Sequence, residues 1–145
     1  MRSSALRAFA IALAVMVSAC LKSTEPQASV LDLKGSWSYT GVQSSPVPET
    51  LTGTLTISRE SGTSFQGRVD LVGVNSQSGE SRLLSGLVSG SASGNDVIDF
   101  DADVDGTPRR HVGQIVADTI AGTWVGSSSG GPISTGTFRV ERETR

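Results

Sequence analysis

The chain has 145 residues, of which 37% are hydrophobic and 18% are charged, values typical of one small globular domain. Its formal net charge is -2, and the part that follows Cys20 carries 10 basic and 14 acidic side chains. This acidic balance argues against nucleic-acid binding, which needs a basic surface. A single cysteine excludes an internal disulfide and a cysteine-based metal site.

The first residues combine a basic start with a short apolar run. Arg2 and Arg7 precede the run 8–17, which is about half as long as a bilayer crossing requires. This pattern predicts a signal peptide, not a transmembrane helix.

The apolar run ends in Val17-Ser18-Ala19-Cys20, which resembles the lipobox of bacterial lipoproteins. The resemblance implies a signal peptide over 1–19, cleavage after Ala19 and a diacylglycerol on Cys20. It also implies anchoring in the bacterial cell envelope, and Leu21 in place of Asp favours the outer membrane over the inner. The alternative is an ordinary signal peptide that is cut elsewhere, with Cys20 incidental. The polar segment 20–34, interrupted by Pro26, is expected to be a flexible linker.

From Gly35 onward, apolar and polar residues alternate, and turn-forming residues recur about every ten positions. No segment after the leader has a helical period. We therefore predict an all-β fold over 35–143, a single small up-and-down β-barrel of about eight antiparallel strands. The expected strands are 36–42, 51–60, 64–74, 81–91, 96–104, 109–116, 119–125 and 133–143.

Glycine recurs between two apolar residues inside these strands, and alternation places each such glycine on the inner face. Glycine within a strand marks sharp bending or the close approach of another backbone, which a small closed barrel requires. Closure also removes exposed strand edges. We assign structural roles to these inward glycines: Gly53, Gly67, Gly86, Gly122 and Gly136.

The first, third, fifth and seventh connections are generally longer than the other three. In an up-and-down barrel they share one rim, so this end is the expected mouth. Both chain ends then lie at the opposite, closed end, and the mouth would face away from the membrane.

Gly35-Ser36-Trp37 resembles the Gly-x-Trp motif of lipocalins and their calycin relatives. The resemblance implies that Trp37 plugs the closed end and that Arg139 or Arg142 packs over it. Gly122-Thr123-Trp124 and Gly136-Thr137-Phe138 are similar to phrases of avidin-like barrels. The Thr-Asp-Tyr type motif and the C-terminal helix of lipocalins are absent, so no ligand type is implied.

An acidic run ends in a sequence that matches the start of an EF-hand calcium loop, with Asp101, Asp103 and Asp105 before Gly106. The bidentate Glu of that loop falls on Val112, and flanking helices are not expected. A solvated strand face with a turn explains the run better, and a loose calcium site is the alternative. In that interpretation Arg109 and Arg110 lie across from the aspartates and offset their repulsion.

The aromatic residues are expected to pack in the core, and those near the mouth would also contact a ligand. The ligand-binding candidates are Trp124, Tyr39, Phe65 and Phe100. His111 is the only histidine, which excludes a zinc site of several imidazoles, and no Gly-x-Ser-x-Gly elbow sits on a strand-to-helix turn. We expect neither enzymatic activity nor a cofactor.

Three functions are compatible with this sequence, and the oligomeric state is not indicated. A carrier of a small apolar or amphipathic ligand predicts a cavity beneath the mouth loops. An envelope protein that binds or inhibits another protein predicts a filled interior and exposed apolar rim residues, with Val47 and Ile133 as candidates. A structural lipoprotein without a ligand predicts neither feature.

Overall fold

The computed structural model describes residues 32–127 and 133–144. The predicted signal peptide, the lipobox and the linker up to residue 31 lie outside the described residues. No helix within those two ranges is long and apolar enough to span a membrane. The eight strands are β1 Gly35–Ser45, β2 Glu49–Ser61, β3 Ser64–Asn75, β4 Ser81–Ala92, β5 Val97–Val104, β6 Thr107–Val116, β7 Thr119–Gly126 and β8 Ser134–Arg142.

Each strand pairs antiparallel with the next one in the chain, and β1 pairs with β8 to close the barrel. The predicted all-β, eight-stranded, up-and-down barrel is confirmed. Closure of the barrel removes the open strand edges, which in a sheet rich in Thr and Val would pair with another chain.

Alternation along each strand separates the interior from the outer wall. Apolar side chains from every strand fill the interior, among them Leu55, Val69, Ile98, Ile120 and Val140. Burial of this apolar surface supplies the main favourable free energy of folding. Because one-residue slippage would turn the apolar set outward, the pattern also fixes the register.

Glycines allow neighbouring strands to approach closely at the bends. A Cβ atom on Gly86 would lie 2.0 Å from the carbonyl oxygen of Asp103, and one on Gly122 would lie 2.0 Å from that of Val112. Gly53 and Gly67 are equally close to the backbone of the paired strand. Any side chain at these positions would force the two strands apart.

The connections 46–48, 76–80 and 105–106, the end of β7 and the start of β8 share one rim, which we call the mouth rim. Two of these connections are longer than a tight turn. The third is a two-residue turn in which Asp105 (φ 50°) and Gly106 (φ 76°) both have positive φ, as hairpin turns of this type require. The opposite end carries the connections 62–63, 93–96 and 117–118 and both ends of the described chain.

Trp37 seals this closed end. Its side chain is 1% exposed, its Nε1 donates to the Leu33 carbonyl at 2.9 Å, and the Arg142 guanidinium carbon lies 4.4 Å from the centroid of its ring. Arg142, not Arg139, covers the tryptophan, since Arg139 points outward and pairs with Glu141.

The segment before β1 packs against the same end. Leu33 is 2% exposed, and its amide donates to Glu60 Oε1 at 2.7 Å. Arg142 donates from Nη1 to the Lys34 carbonyl at 3.1 Å and from Nη2 to the Asp32 carbonyl. The packed domain therefore includes residues 32–34, which the sequence assigned to the linker.

Candidate functional site

Polar side chains are buried at the mouth end of the interior. Gln43, Glu49, Arg109 and His111 are between 2% and 6% exposed, and they are the buried polar or charged residues within the described ranges. Burying such groups costs free energy unless hydrogen bonds or ion pairs compensate them. Their partners therefore decide whether this end of the barrel is a structural feature or a binding site.

The period of β6 places Arg109 inside the barrel. Arg109, His111, Gly113 and Ile115 point inward, and the residues between them point outward. The prediction that both arginines face the aspartates on the outer wall was wrong for Arg109. Only Arg110 does so, with Nη2 at 2.5 Å from Asp99 Oδ2.

Glu49 is the buried carboxylate of the mouth, and it is fully engaged. Arg82 donates to it from Nε at 2.8 Å and from Nη2 at 2.6 Å, and Gln43 Nε2 lies 3.3 Å from its Oε2. Gln43 also donates to the Val47 carbonyl at 2.8 Å. This bidentate geometry holds Glu49 to Arg82, and no carboxylate among the described residues forms an ion pair with Arg109.

Arg109 lies over the ring of Trp124, with its Cζ 4.7 Å from the centroid. The Arg109 Nε and the Trp124 Nε1 are both buried and find no hydrogen-bond acceptor among the described residues. A cation over an indole face is favourable. That contact does not satisfy the two N–H groups, so two donors at the mouth have no partner in the part of the chain that the structure describes.

His111 and Tyr39 form a hydrogen-bonded pair below Arg109. The Tyr39 hydroxyl is 3.2 Å from His111 Nε2, and His111 Nδ1 is 2.9 Å from the Arg109 carbonyl. These partners assign a neutral imidazole with its proton on Nδ1, so Tyr39 donates and Nε2 accepts.

Both groups are held neutral. Burial lowers the pKa of His111 to about 4, although its hydrogen bond to the Arg109 carbonyl acts in the opposite direction. Burial also raises the pKa of Tyr39 well above its usual value, an effect that the positive charge of Arg109 partly offsets.

An aromatic cluster surrounds His111. Phe100 stacks on the imidazole with centroids 4.5 Å apart, and Phe138 meets it edge-on at 4.9 Å. Of the four predicted ligand-binding residues, the structure brings Tyr39, Phe100 and Trp124 together around this imidazole. The fourth, Phe65, contacts Phe100 nearer the closed end and does not reach the mouth cluster.

The space inside the barrel that described residues alone enclose is small. It is a cavity of about 10 Å³, enough for roughly one water molecule, against Tyr39, Phe100, Arg109 and His111. A ligand of several carbon atoms therefore enters only if side chains at the mouth move.

Two apolar residues stand exposed on the mouth rim. Val47 is 39% exposed and Ile133 is 60% exposed. The ladder between β1 and β8 ends at Ser45 opposite Thr135, two residues from each of them, so both lie just beyond the same end of this ladder.

The acidic run forms part of the outer wall. Phe100, Ala102 and Val104 are buried between the aspartates, and Asp101 and Asp103 face solvent. Asp105 Oδ1 accepts the Ser85 amide at 3.3 Å. Nowhere in the described ranges do three or more His, Cys, Asp or Glu side chains converge as metal ligands.

The sequence interpretation missed Gln43, Glu49 and Arg109 as interior residues. Every second residue of β6 points inward, and steps of two back from Ile115 through His111 reach Arg109. In the same way, Glu49 lies two residues before the inward Leu51 in β2. The sequence pattern therefore indicated that both side chains point inward.

No protein-family model matches the sequence, and no curated protein matches it. Solved structures with the same architecture are found at low identity. The protein EF1p2_mFAP2b bound to DFHBI is 14% identical, with a TM-score of 0.61 over 77% of this chain and 94% of that one. A de novo designed fluorescence-activating β-barrel is 17% identical, with a TM-score of 0.56 over 80% of this chain and 98% of that one.

A redesigned β-barrel, b11L5F_LGL, is 20% identical, with a TM-score of 0.58 over 81% of this chain and 95% of that one. These likenesses establish the fold, an eight-stranded barrel, and at such identities they establish nothing further.

Proposed function

We propose that this protein is a lipid-anchored protein of the bacterial cell envelope whose barrel binds a small amphipathic molecule at the mouth end of its interior. The observation that carries the binding proposal is the pair of buried donors on Arg109 and Trp124, which have no partner among the described residues. A barrel with a purely structural role gains nothing from them, because each unsatisfied buried group costs about 1–3 kcal/mol. A ligand with an acceptor group would recover that free energy on binding.

The arrangement suggests how the ligand lies. Its polar end would meet Arg109 and Trp124, and its apolar part would extend between the exposed side chains of Val47 and Ile133. This orientation suits the filled interior, since only the mouth side chains need to move. Support by analogy comes from the structures of similar fold that carry DFHBI.

The membrane anchor is part of this proposal because the sequence that ends at Cys20 resembles a lipobox. Two acyl chains on Cys20 would hold the protein at a membrane, because each buried methylene contributes roughly 0.8 kcal/mol. β1 begins and β8 ends at the closed end, so a tether from that end would leave the mouth open to the surroundings.

Native mass spectrometry of the protein purified from a bacterial envelope tests the binding proposal. A reproducible extra mass, released on denaturation and absent from Arg109→Gln, is the expected result. A bare chain under conditions that preserve the fold contradicts it.

Incorporation of labelled palmitate tests the membrane anchor, and the label should be lost in Cys20→Ser. A wild-type protein that takes up no label contradicts the proposed anchor.

The exposed rim favours a second candidate, a protein-binding role. It predicts capture of one envelope partner that Val47→Asp and Ile133→Asp abolish. Val116→Asp is the matched control, because Val116 is 70% exposed on the outer wall near the closed end. Equal capture by all three variants contradicts this candidate.

A further inference from the structure

Arg109 has no ion pair among the described residues. Arg109 and Glu49 are the charged residues buried at the mouth, whereas the side chain of Arg82 is 51% exposed. Glu49 is bound through both oxygens to Arg82. Glu49 and Asp105 are both near enough to act on the charge of Arg109, but neither accepts a hydrogen bond from it, and Asp105 is exposed on the turn, where water screens its charge.

Two glycines make room for this arrangement. A Cβ on Gly136 would lie 2.6 Å from Trp124 Nε1, and one on Gly126 would lie 3.2 Å from Arg109 Cγ. The indole edge and the arginine stem therefore lie against bare backbone on neighbouring strands. Both N–H groups belong to side chains that the barrel holds in place.

The closed end provides an internal comparison. Arg142 also lies over a tryptophan, Trp37, but there every partner is supplied by the protein. Arg142 donates to the carbonyls of Lys34 and Asp32, and Trp37 donates to that of Leu33. The same pair of residue types is thus satisfied at one end and, among the described residues, unpartnered at the other.

We propose, on the basis of the function proposed above, that the ligand carries a carboxylate and that Arg109 Nε and Trp124 Nε1 donate to it. The carboxylate would supply both missing acceptors and an ion pair for Arg109. A bound water molecule would satisfy one or two donors, but it would give Arg109 no ion pair. A planar group of three heavy atoms also suits the restricted space better than a tetrahedral anion.

Octanoate and octanamide are the probes that test this assignment, because they have the same shape and differ in charge. Isothermal titration calorimetry of the purified protein is expected to give octanoate at least about tenfold higher affinity than octanamide. Arg109→Gln should remove this preference. Arg110→Gln is the matched control, since Arg110 is the next residue but lies on the outer wall, and it should keep the preference.

Trp124→Phe keeps the aromatic ring and removes the N–H group, so a several-fold loss for octanoate is expected. Thermal unfolding of each variant checks that the barrel remains folded. Equal affinities of the wild-type protein for octanoate and octanamide would overturn the carboxylate assignment and leave the binding function standing. Failure of both probes to bind at millimolar concentration would overturn the binding function as well.

Discussion

The guanidinium carbon of Arg109 lies 4.7 Å from the ring centroid of Trp124, and neither Arg109 Nε nor Trp124 Nε1 has an acceptor among the described residues. In most folded proteins, buried N–H groups are paired, so this contact is an exception that calls for a cause. Side chains that lower the stability of the fold are expected at functional sites, where they serve binding. This contact between Arg109 and Trp124 is the reason to regard the mouth end of the barrel as a binding site.

Replacement of Arg109 by methionine is predicted to leave the ligand-free protein as stable as the wild type or to stabilise it by up to about 2 kcal/mol. The reason is that an unpaired buried guanidinium costs free energy, whereas methionine packs against Trp124 without that cost. Chemical denaturation measures the difference. A loss of several kcal/mol would mean that Arg109 has a structural partner, and it would remove the main argument for the site.

Acid is predicted to destabilise the barrel through His111. The pKa of His111 is lowered to about 4 in the folded state from its ordinary value of 6.5. Between these values the unfolded chain binds a proton that the folded chain does not, so stability falls as the pH drops from 6.5 and the loss is complete below about 4. The lost free energy is about 3 kcal/mol.

Denaturation at several pH values checks this prediction, and His111→Gln is the variant to compare. Its stability should lack the decline between pH 6.5 and about 4, whatever its absolute value. Asp99, whose pKa is lowered by its hydrogen bonds to Arg110, contributes only at lower pH. A variant with the same decline as the wild type would assign the effect to other groups.

Gly122→Ala is predicted to destabilise the protein by more than about 2 kcal/mol, because the new methyl group would meet the Val112 carbonyl. Gly94→Ala is the matched control, since nothing lies within 4 Å of a Cβ there and its φ is not in the left-handed region. The control should change stability by less than about 0.5 kcal/mol. Similar effects of the two substitutions would argue against close approach of the strands at Gly122.

Arg142→Gln should lower the free energy of unfolding by about 1–3 kcal/mol, because it removes both carbonyl contacts and the cover on Trp37. Arg139→Gln removes an exposed pair with Glu141 and should cost less than about 0.5 kcal/mol. Thermal or urea unfolding compares them. Equal losses would show that the closed end does not depend on Arg142.

The strands could be predicted from the sequence because inner and outer residues differ in polarity along most of their length. Prediction placed β1 over 36–42 and β2 from 51, whereas β1 reaches Ser45 and β2 begins at Glu49. The strands ended early in the prediction because Gln43 and Glu49 are polar yet point inward. Alternation of polarity marks a strand only where the interior is apolar.

The same cause hid the site. Arg109 was assigned to the outer wall because it is a charged residue beside Arg110 and opposite an acidic strand. Its position follows from the period of β6, but its lack of a partner among the described residues depends on how Glu49 and Arg82 pair across β2 and β4. Such pairing, and the closeness with which the aromatic side chains fill the barrel, arises from three-dimensional packing that a linear pattern does not contain.

The indole N–H signals of the two tryptophans offer the most direct test of ligand binding at the mouth. Heteronuclear NMR of the isotopically labelled protein would follow both signals during titration with octanoate, with Trp124→Phe to assign them. We predict that the Trp124 signal moves as it gains an acceptor, while that of Trp37, already bonded to Leu33, stays in place. A Trp124 signal that octanoate leaves unmoved would contradict the proposed site.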